Sequence, residues 1–286
     1  MGNLVRFDWA VKKLLRNKAN FDILEGFLTE LLGFDVKVVE ILESESNKNE
    51  MDDKFNRVDV LVKTSTEELM LVEVQNEPEI DYFQRILYGV SKLATEYIKE
   101  GDGYGSIKKI ISISIVYFQL GQGTDYVYEY KGAFLGKHTN DVLNPNVYQK
   151  KKYKVEKISD ILPKYYILKV NNFNKVAEDT LDQWIYFLKN GEVPENCTAK
   201  GLKAAGEKLR VDKLSEEERK AYQKFQESRW VEKSITETAE LLGRNKGKME
   251  VVNNAIKKGF DNNLIAELTG MSLQEIELIR AELEKN

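Results

Sequence analysis

Two short segments rich in β-branched residues, with a few polar residues between them, constrain the fold more than any other part of the sequence. The first reads RVDVLVKTS at residues 57–65, and the second reads ELMLVEVQ at residues 68–75. The first is rich in valine and alternates with a period of two, which is the side-chain period of a β-strand. The short connection around Thr66 lets the chain turn back directly, so the pattern predicts an antiparallel β-hairpin.

The register of this hairpin determines which side chains lie close together. If residues 65–67 form a three-residue loop, Thr64 lies opposite Glu68. The same register places Asp59 opposite Glu73 on one face, with Cβ atoms roughly 5 Å apart. A slip of one residue would move the two carboxylates to opposite faces, so their pairing depends on this loop length.

Two carboxylates at such a distance repel each other, which raises their pKa values or costs stability. A divalent cation removes the conflict, because Mg²⁺ prefers oxygen ligands and binds one or two carboxylates together with water and phosphate oxygens. Such an ion also polarises a phosphodiester and lowers the pKa of a coordinated water. Asp59 and Glu73 are therefore a candidate metal site for cleaving a nucleic-acid backbone, with Mg²⁺ as the expected ion and Mn²⁺ as a substitute.

Helical and strand-like patterns on both sides of the hairpin indicate a mixture of helices and sheet. The predicted helices cover residues 5–16, 19–32, 79–100 and 175–190. The predicted strands cover residues 35–43 and 108–118, with further strand-like stretches near 126–135 and 153–158. In the long helix after the hairpin, the residues expected on the buried side are Ile80, Phe83, Leu87, Val90, Ala94 and either Tyr97 or Ile98.

One glutamate lies within the apolar stripe of the helix at residues 19–32. At about 100° per residue, Glu25 falls on the same side as Phe21 and Leu28. An ionisable group on a core-facing stripe costs several kcal/mol unless it is paired or binds a metal ion. Glu25 is therefore a candidate for the wall of the site, and the alternative is a glutamate at the stripe's edge that reaches solvent.

The helix after the hairpin carries polar residues on one face, at spacings that bring them together. These residues are Asp81, Gln84, Arg85, Tyr88 and Lys92. Arg85 is placed to contact a phosphate or a site carboxylate. An ordinary solvated helix face explains the same spacing, so both interpretations stay open.

Composition excludes several kinds of site. The chain has one cysteine and one histidine, which rules out an internal disulfide and a multi-Cys/His zinc site. A net charge of −4 disfavours a protein that coats nucleic acid by charge alone, but not a nuclease whose acidic site recruits a cation. Without a membrane-length apolar segment or a signal-peptide pattern, we expect a cytoplasmic protein that does not bind membranes.

Several sequence blocks, in the order of these elements, carry a resemblance to a known family. The blocks are FDWAVKKLL, LEGFLTELLG, DDKFNRVDVLV, LVEVQNE, FQRILYGVSKLATEYIKEGDGY, KKIISISIVYF and LDQWIYFLKNG. Over roughly residues 5–190 the chain resembles the PD-(D/E)XK nuclease family transposases, which are related to the recombination-promoting nucleases. The resemblance implies an α/β, restriction-endonuclease-like core with a mixed central sheet flanked by helices in residues 1–200, and a charged helical region in residues 201–286.

The resemblance also implies roles for individual residues. Asp59 matches the metal-bridging aspartate and Glu73 the second acidic ligand. The main-chain carbonyl of Val74 is a common metal ligand in this fold, and Glu25 matches the acid of the first helix. The supporting positions on the following helix are Gln84, Arg85 and Tyr88. The implied activity is Mg²⁺-dependent cleavage of DNA connected with mobile elements or recombination, and a homodimer is left open.

The third position of the motif departs from the family pattern, because Gln75 stands where lysine is usual. Lysine orients the attacking water or stabilises developing negative charge, whereas glutamine can only hydrogen-bond a water. Gln75 stays a candidate catalytic residue, since other nucleases of this superfamily use glutamine there. The alternative is a catalytically weak or inactive DNA-binding or regulatory protein that keeps the fold, and RNA stays open as a substrate.

The end of the chain, residues 259–283, resembles the end of a small helix-turn-helix. Ser272 would begin its second helix, with Glu275 completing a capping box. A recognition helix presents Arg, Lys, Asn or Gln to bases, but this one carries mainly glutamates. The pattern favours a packing or oligomerisation element over a DNA reader.

Overall fold

The computed structural model describes residues 4–13, 17–42, 60–98 and 101–283. The strands are β1 (Val38–Leu42), β2 (Val60–Thr64), β3 (Leu69–Gln75), β4 (Ile110–Val116), β5 (Val127–Glu129) and β6 (Lys164–Lys169). The helices are α1 (Phe7–Lys13), α2 (Phe21–Leu32), α3 (Tyr82–Glu96), α4 (Val147–Tyr153), α5 (Thr180–Asn190), α6 (Leu202–Lys208), α7 (Glu216–Lys257), α8 (Asn262–Thr269) and α9 (Leu273–Leu283). Within these ranges, no helix combines the length and the apolar character that a membrane span requires.

The strands form one mixed sheet of six strands in the order β1-β2-β3-β4-β6-β5. The pairs β1–β2, β2–β3 and β5–β6 are antiparallel, whereas β3–β4 and β4–β6 are parallel. The central strands β3 and β4 are buried along almost their whole length, as expected when helices cover both faces of a parallel sheet. The predicted α/β architecture, with a mixed central sheet flanked by helices, is confirmed.

The hairpin of β2 and β3 forms in the predicted register. Val60 pairs with Val72, and the Thr64 amide donates to the Glu68 carbonyl at 3.0 Å. The loop between the strands turns at Glu67, which has a φ of 64°. A left-handed residue in a short loop is typical of hairpins whose turn is followed by a bulge. The loop length assumed from the sequence is therefore the one observed.

Helix α3 packs on one face of the two central strands. Val90 and Leu93 lie in one apolar cluster with Leu69 and Leu71 of β3. Because alternate residues of a strand share a face, the residues of β3 beyond Leu71 on this face are Glu73 and Gln75. The packing of α3 therefore fixes which helix lies next to the predicted motif.

The buried side of α3 differs from the prediction. Ile80, Phe83 and Leu87 were expected in the core but are exposed, whereas Tyr82 is fully buried and its ring meets the Phe118 ring edge-on at 5.6 Å. The full buried set is Tyr82, Ile86, Val90 and Leu93. Hydropathy alone ranks tyrosine below isoleucine, but the body of its ring packs as an apolar group. The predicted buried face of α3 is therefore rotated about the helix axis relative to the observed buried face.

The strand predictions between residues 126 and 158 were only partly correct. Strand β5 occupies three residues of the stretch expected near 126–135. The stretch expected near 153–158 is not a strand, because α4 ends at Tyr153, Lys154 has a φ of 53°, and Ile158–Asp160 forms a 3-10 helix. Strand β6 was not predicted. A left-handed residue interrupts extended backbone, so the chain turns here instead of pairing with a strand.

Four aromatic side chains join α1, α2 and α5. Trp184 is 0% exposed, and the rings of Phe7, Phe27 and Phe187 meet it edge-on with centroids 6.2, 5.5 and 5.7 Å away. The Trp184 Nε1 donates to the carbonyl of Lys200 at 3.1 Å. Edge-to-face packing of this kind stabilises a core beyond the area that it buries.

A close backbone crossing attaches the segment after residue 200 to α2. A Cβ on Gly26 would lie 2.6 Å from the Cα of Gly201, which itself has a φ of +76°. The Val5 amide donates to the Leu209 carbonyl at 2.7 Å, so this segment also holds the start of α1. The compact units are Met1–Arg219 and Lys220–Asn286, and the predicted boundary at residue 200 therefore lies inside the first unit.

The second unit contains most of α7 and the two short helices α8 and α9. The buried residues of its core are Val252, Ala255, Ile265, Ile276 and Ile279. The predicted capping box at the start of α9 is confirmed, since the Ser272 amide donates to the Glu275 carboxylate at 2.8 Å and the Glu275 amide donates to Ser272 Oγ at 3.3 Å. The helix-turn-helix-like end is thus a small packed bundle.

Candidate active site

The carboxyl end of β3 carries two side chains of the predicted motif. Glu73 and Gln75 lie on the face that α3 covers. Glu73 is only 7% exposed, so its carboxylate is largely withdrawn from water. Gln75 is partly buried, and its Nε2 donates to the main-chain oxygen of Glu77 at 3.2 Å. A buried carboxylate is costly unless a cation or hydrogen bonds compensate it.

A guanidinium group on α3 supplies part of that compensation. The Arg85 side chain is 14% exposed, and its Nη1 donates to both carboxylate oxygens of Glu79, each at 3.0 Å. Burial alone would lower the pKa of Arg85, but the charge of Glu73 and the hydrogen bond to Glu79 raise that pKa above its ordinary value. Arg85 therefore interacts with two carboxylates, one on β3 and one just before α3.

A serine on β4 lies beside Glu73. Strands β3 and β4 are parallel, and Glu73 is the register partner of Ser114. Ser114 is 1% exposed, and its Oγ has no hydrogen-bond partner in the part of the chain that the structure describes. The Nε of Arg85 is also buried and has no hydrogen-bond partner among the described residues. Buried polar groups are normally hydrogen-bonded, so each of these two atoms has the capacity to bind a water or a ligand oxygen.

Asp59 lies outside the described residues, so its predicted position opposite Glu73 stays a prediction. The observed register supports that prediction up to the adjacent pair, Val60 and Val72. No slip of one residue occurs between Val60 and Lys63. The loop therefore has the length that the predicted pairing of Asp59 with Glu73 requires.

Glu25 lies at the other end of the sheet. Its Oε1 accepts a hydrogen bond from the Val38 amide at 3.0 Å, and its Oε2 accepts one from Lys37 Nζ at 2.9 Å. Val38 pairs with Thr64 beside the hairpin loop, whereas Glu73 lies about 17 Å further along the strand direction. The hydrogen bond to Glu25 also raises the pKa of Lys37. The structure thus does not bring Glu25 together with Glu73, and Glu25 instead ties α2 to the start of β1.

Replacing Glu25 by alanine is expected to lower stability without removing a catalytic group. The change leaves the Val38 amide without its acceptor, which costs about 1–3 kcal/mol for a buried group. Urea denaturation measures the loss, and the activity per folded molecule should equal that of the wild type. A loss of activity much larger than the loss of folded protein would show that Glu25 belongs to the site.

The other predicted residues differ in exposure. Val74 is 4% exposed and its side chain points to the opposite face from Glu73, so only its main chain is available to a site. Gln84 is exposed, and Tyr88 is 52% exposed. These two side chains lie on the outer side of α3, where a large ligand can reach them.

A buried carboxylate near the end of β3 was missed by the sequence reasoning. Asp8 is 1% exposed and accepts hydrogen bonds from Arg6 Nε at 3.2 Å and from Asn76 Nδ2 at 3.0 Å. Asn76 directly follows β3, so the network lies at the same end of the strand as the motif. The sequence feature that could have identified Asp8 as buried is its position between two aromatic residues, Phe7 and Trp9, within one apolar helical turn.

The described residues contain no group of three or more His, Cys, Asp or Glu side chains that could hold a metal ion. Glu73 is the one member of the predicted carboxylate pair within the described ranges, because Asp59 falls outside them. The Glu73 carboxylate and the hydroxyl of its register partner Ser114 both offer oxygen atoms on the same face of the sheet. This set suits cations that prefer oxygen rather than sulfur or nitrogen ligands.

No curated protein and no solved structure matches the chain significantly. A family model does match, over residues 5–239, which includes every strand of the sheet and the helices α1 to α6. That range is far more than half of the chain. The matched family is described as PD-(D/E)XK nuclease family transposase, and the chain belongs to it.

Proposed function

We propose that this chain is a metal-dependent endonuclease that hydrolyses phosphodiester bonds of DNA, in a process linked to mobile elements or recombination. Membership of a nuclease family supports the class of reaction. The observation that carries the proposal is Glu73, a carboxylate that is 7% exposed at the end of the central strand. Acidic side chains are almost never fully buried unless they are paired or bind a metal ion, so a buried glutamate beside an arginine marks a candidate functional position.

The groups around Glu73 fit a hard divalent cation. Mg²⁺ keeps several waters and needs only one or two protein carboxylates. Continuing the register one pair beyond Val60 and Val72 would set Asp59 opposite Glu73, which motivates Asp59 as the second carboxylate. In this proposal the main-chain carbonyl of Val74 is a further oxygen ligand. Mn²⁺ accepts the same oxygen ligands and should substitute.

A cation bound there would polarise the scissile phosphodiester and lower the pKa of a coordinated water. Glu73 and Asp59 supply the negative charge that holds it. Arg85, itself held by Glu79, interacts electrostatically with Glu73 and offsets part of the cost of burying that carboxylate.

Residues around the carboxylates orient the reactants. Gln75 can accept a hydrogen bond from the attacking water through its side-chain oxygen, because its amide nitrogen already donates to Glu77. Since glutamine cannot take a proton, Gln75 orients the water without acting as its base. The exposed Gln84 and Tyr88 are placed to contact the phosphate backbone of a bound duplex.

Plasmid cleavage tests the proposal. Supercoiled DNA incubated with the full chain should be nicked or linearised with Mg²⁺ or Mn²⁺ and should stay intact with EDTA, because the reaction needs the cation. Asp59→Ala should leave the plasmid uncut under the same conditions. Intact DNA with either ion, while a known nuclease cuts in the same buffer, would reject the proposal.

A second candidate is a catalytically weak or inactive DNA-binding protein with this fold. The observation that favours it is the uncharged Gln75, whose nitrogen donates to Glu77 rather than to a reacting group. Retention of labelled duplex DNA without cleavage, in the presence of either ion, would select this candidate. A parallel assay with labelled RNA decides which nucleic acid is the substrate.

A further inference from the structure

The middle of α7 lies open to solvent over an unusual length for a single helix. Tyr222 near its start and Val252 near its end are 3% and 0% exposed, but no residue between them is buried. This stretch is roughly 43 Å long. It also contains Gly243 and Gly247, which weaken a solvated helix relative to alanine. Helices in proteins owe most of their stability to the packing of an apolar face, so a partner is expected here.

The exposed stretch carries a heptad pattern. Written abcdefg, the seam positions a and d recur with alternating spacings of four and three residues, and they are Val231, Ile235, Thr238, Leu242, Asn245 and Met249. Val231, Ile235 and Leu242 are 58%, 63% and 64% exposed. A 3.5-residue repeat keeps such a stripe facing one partner helix along its whole length. The stripe is called the α7 seam below.

We propose that the α7 seam pairs with the α7 seam of a second copy of this chain, as an antiparallel two-helix coiled coil. The inference rests on α7 alone and is independent of the nuclease proposal. In a dimer with two-fold symmetry both copies contribute the same surface to the contact, so the seam must be complementary to itself. The charges beside the seam meet this condition in one orientation only.

The flanking charges separate the two orientations. Glu227 and Lys248 occupy g positions, and Glu232 and Lys246 occupy e positions. In a parallel pair a g residue faces the following e residue of the other helix, which would set Glu227 against Glu232. In an antiparallel pair g faces g, so Glu227 faces Lys248 of the second copy, and the two-fold axis repeats the pair. Opposite charges therefore meet only in the antiparallel arrangement.

The seam residues agree with an antiparallel register. In such a pair each a residue faces a d residue of the other helix, so Val231 faces Leu242 of the second copy and Ile235 faces Thr238. One layer further out, Ser228, the a position before Val231, faces Asn245, so these two polar residues share a layer at each end. Val231, Ile235 and Leu242 lie between these two layers, where water is excluded most completely, and Thr238 is the polar residue among them.

Sedimentation equilibrium of the full chain, over a series of protein concentrations, tests the pairing. The wild type should reach twice the 33.0 kDa mass of one chain. Glu227→Lys should weaken the dimer about tenfold, because two attractive pairs become repulsive. The double variant Glu227→Lys with Lys248→Glu should restore the dimer, since the charges meet again with reversed signs.

A matched control carries the same charge change on the outer face of the helix. Glu240 lies at an f position, opposite the seam, so Glu240→Lys should leave the dissociation constant unchanged. Circular dichroism confirms that each variant keeps its helices. A wild type that stays monomeric at every concentration would overturn the proposal. A dimer strengthened by Glu227→Lys would overturn the antiparallel orientation, because that change favours the parallel pair.

Discussion

Replacing Glu73 by glutamine should lower the rate of plasmid cleavage at least about a hundredfold while the chain stays folded. Substituting residues that merely support metal ligands costs about 10–100-fold, and Glu73 is proposed as a ligand itself. The free energy of unfolding should fall by no more than about 1–3 kcal/mol, because glutamine keeps the size and an acceptor oxygen of Glu73 while its charge beside Arg85 is lost. Time courses at several Mg²⁺ concentrations, with urea denaturation of the same preparations, measure both quantities.

Glu68→Gln is the matched control for this prediction. Glu68 precedes β3 at its opposite end and forms an ion pair with Lys109 at 2.9 Å. The same chemical change there should leave cleavage at the wild-type rate, since no proposed site residue lies nearby. Equal losses in the two variants, or full activity of Glu73→Gln, would place the reaction elsewhere.

Trp184→Ala should cause the largest loss of stability of any single truncation in the first unit. Trp184 is 0% exposed, and three aromatic rings contact it edge-on. Truncating a buried tryptophan costs about 3–5 kcal/mol, and the change also removes the donor to the Lys200 carbonyl. Because the free energy of unfolding of a whole domain is only about 5–15 kcal/mol, this truncation removes a large part of it. Urea denaturation followed by circular dichroism measures the shift in midpoint.

Tyr148→Ala serves as the control for the loss of an aromatic ring. Tyr148 is 85% exposed, so its truncation should change the free energy of unfolding by less than about 0.5 kcal/mol. Trp184→Phe should fall between the two, because a ring still fills most of the space while the indole donor is lost. Similar midpoints for Trp184→Ala and the wild type would show that the aromatic cluster does not hold α1, α2 and α5 together.

The hairpin and its register were predictable because local information is enough to specify them. The period-two pattern and the short loop decide which residues of β2 and β3 pair, and Val60 lies opposite Val72 as expected. The start of α9 was similarly predictable, from the capping box of Ser272 and Glu275. These features depend on residues within a few positions of each other.

The orientation of α3 and the role of Glu25 depend on distant residues, and there the predictions were less successful. The side of α3 that is buried is decided by Phe118 and the face of β3, which the sequence of the helix does not contain. Glu25 was recognised as an acid on an apolar stripe, but its partners come from Lys37 and Val38 at the start of β1. The pattern along one helix can show that an acid is buried, but it does not show which groups the acid contacts.

The motif itself accounts for only part of the candidate site. Glu73 and Arg85 were selected from the sequence, and the structure places them in electrostatic contact. Ser114 and Asp8 were missed, because a serine alternating with isoleucines resembles any buried strand and an isolated acid resembles any helix start. Their significance depends on strand order and on the residue after β3, which only the assembled sheet reveals.

The hydrogen bond between the Val5 amide and the Leu209 carbonyl has a consequence for how the chain is made. At about 5–20 residues per second, roughly 10–40 s separate the synthesis of these two residues on a ribosome. During that interval Phe7 and the rest of α1 lack the segment that closes the first unit. The first unit of the nascent chain therefore stays incomplete until residue 209 has been made, and incomplete domains expose apolar surface that favours aggregation.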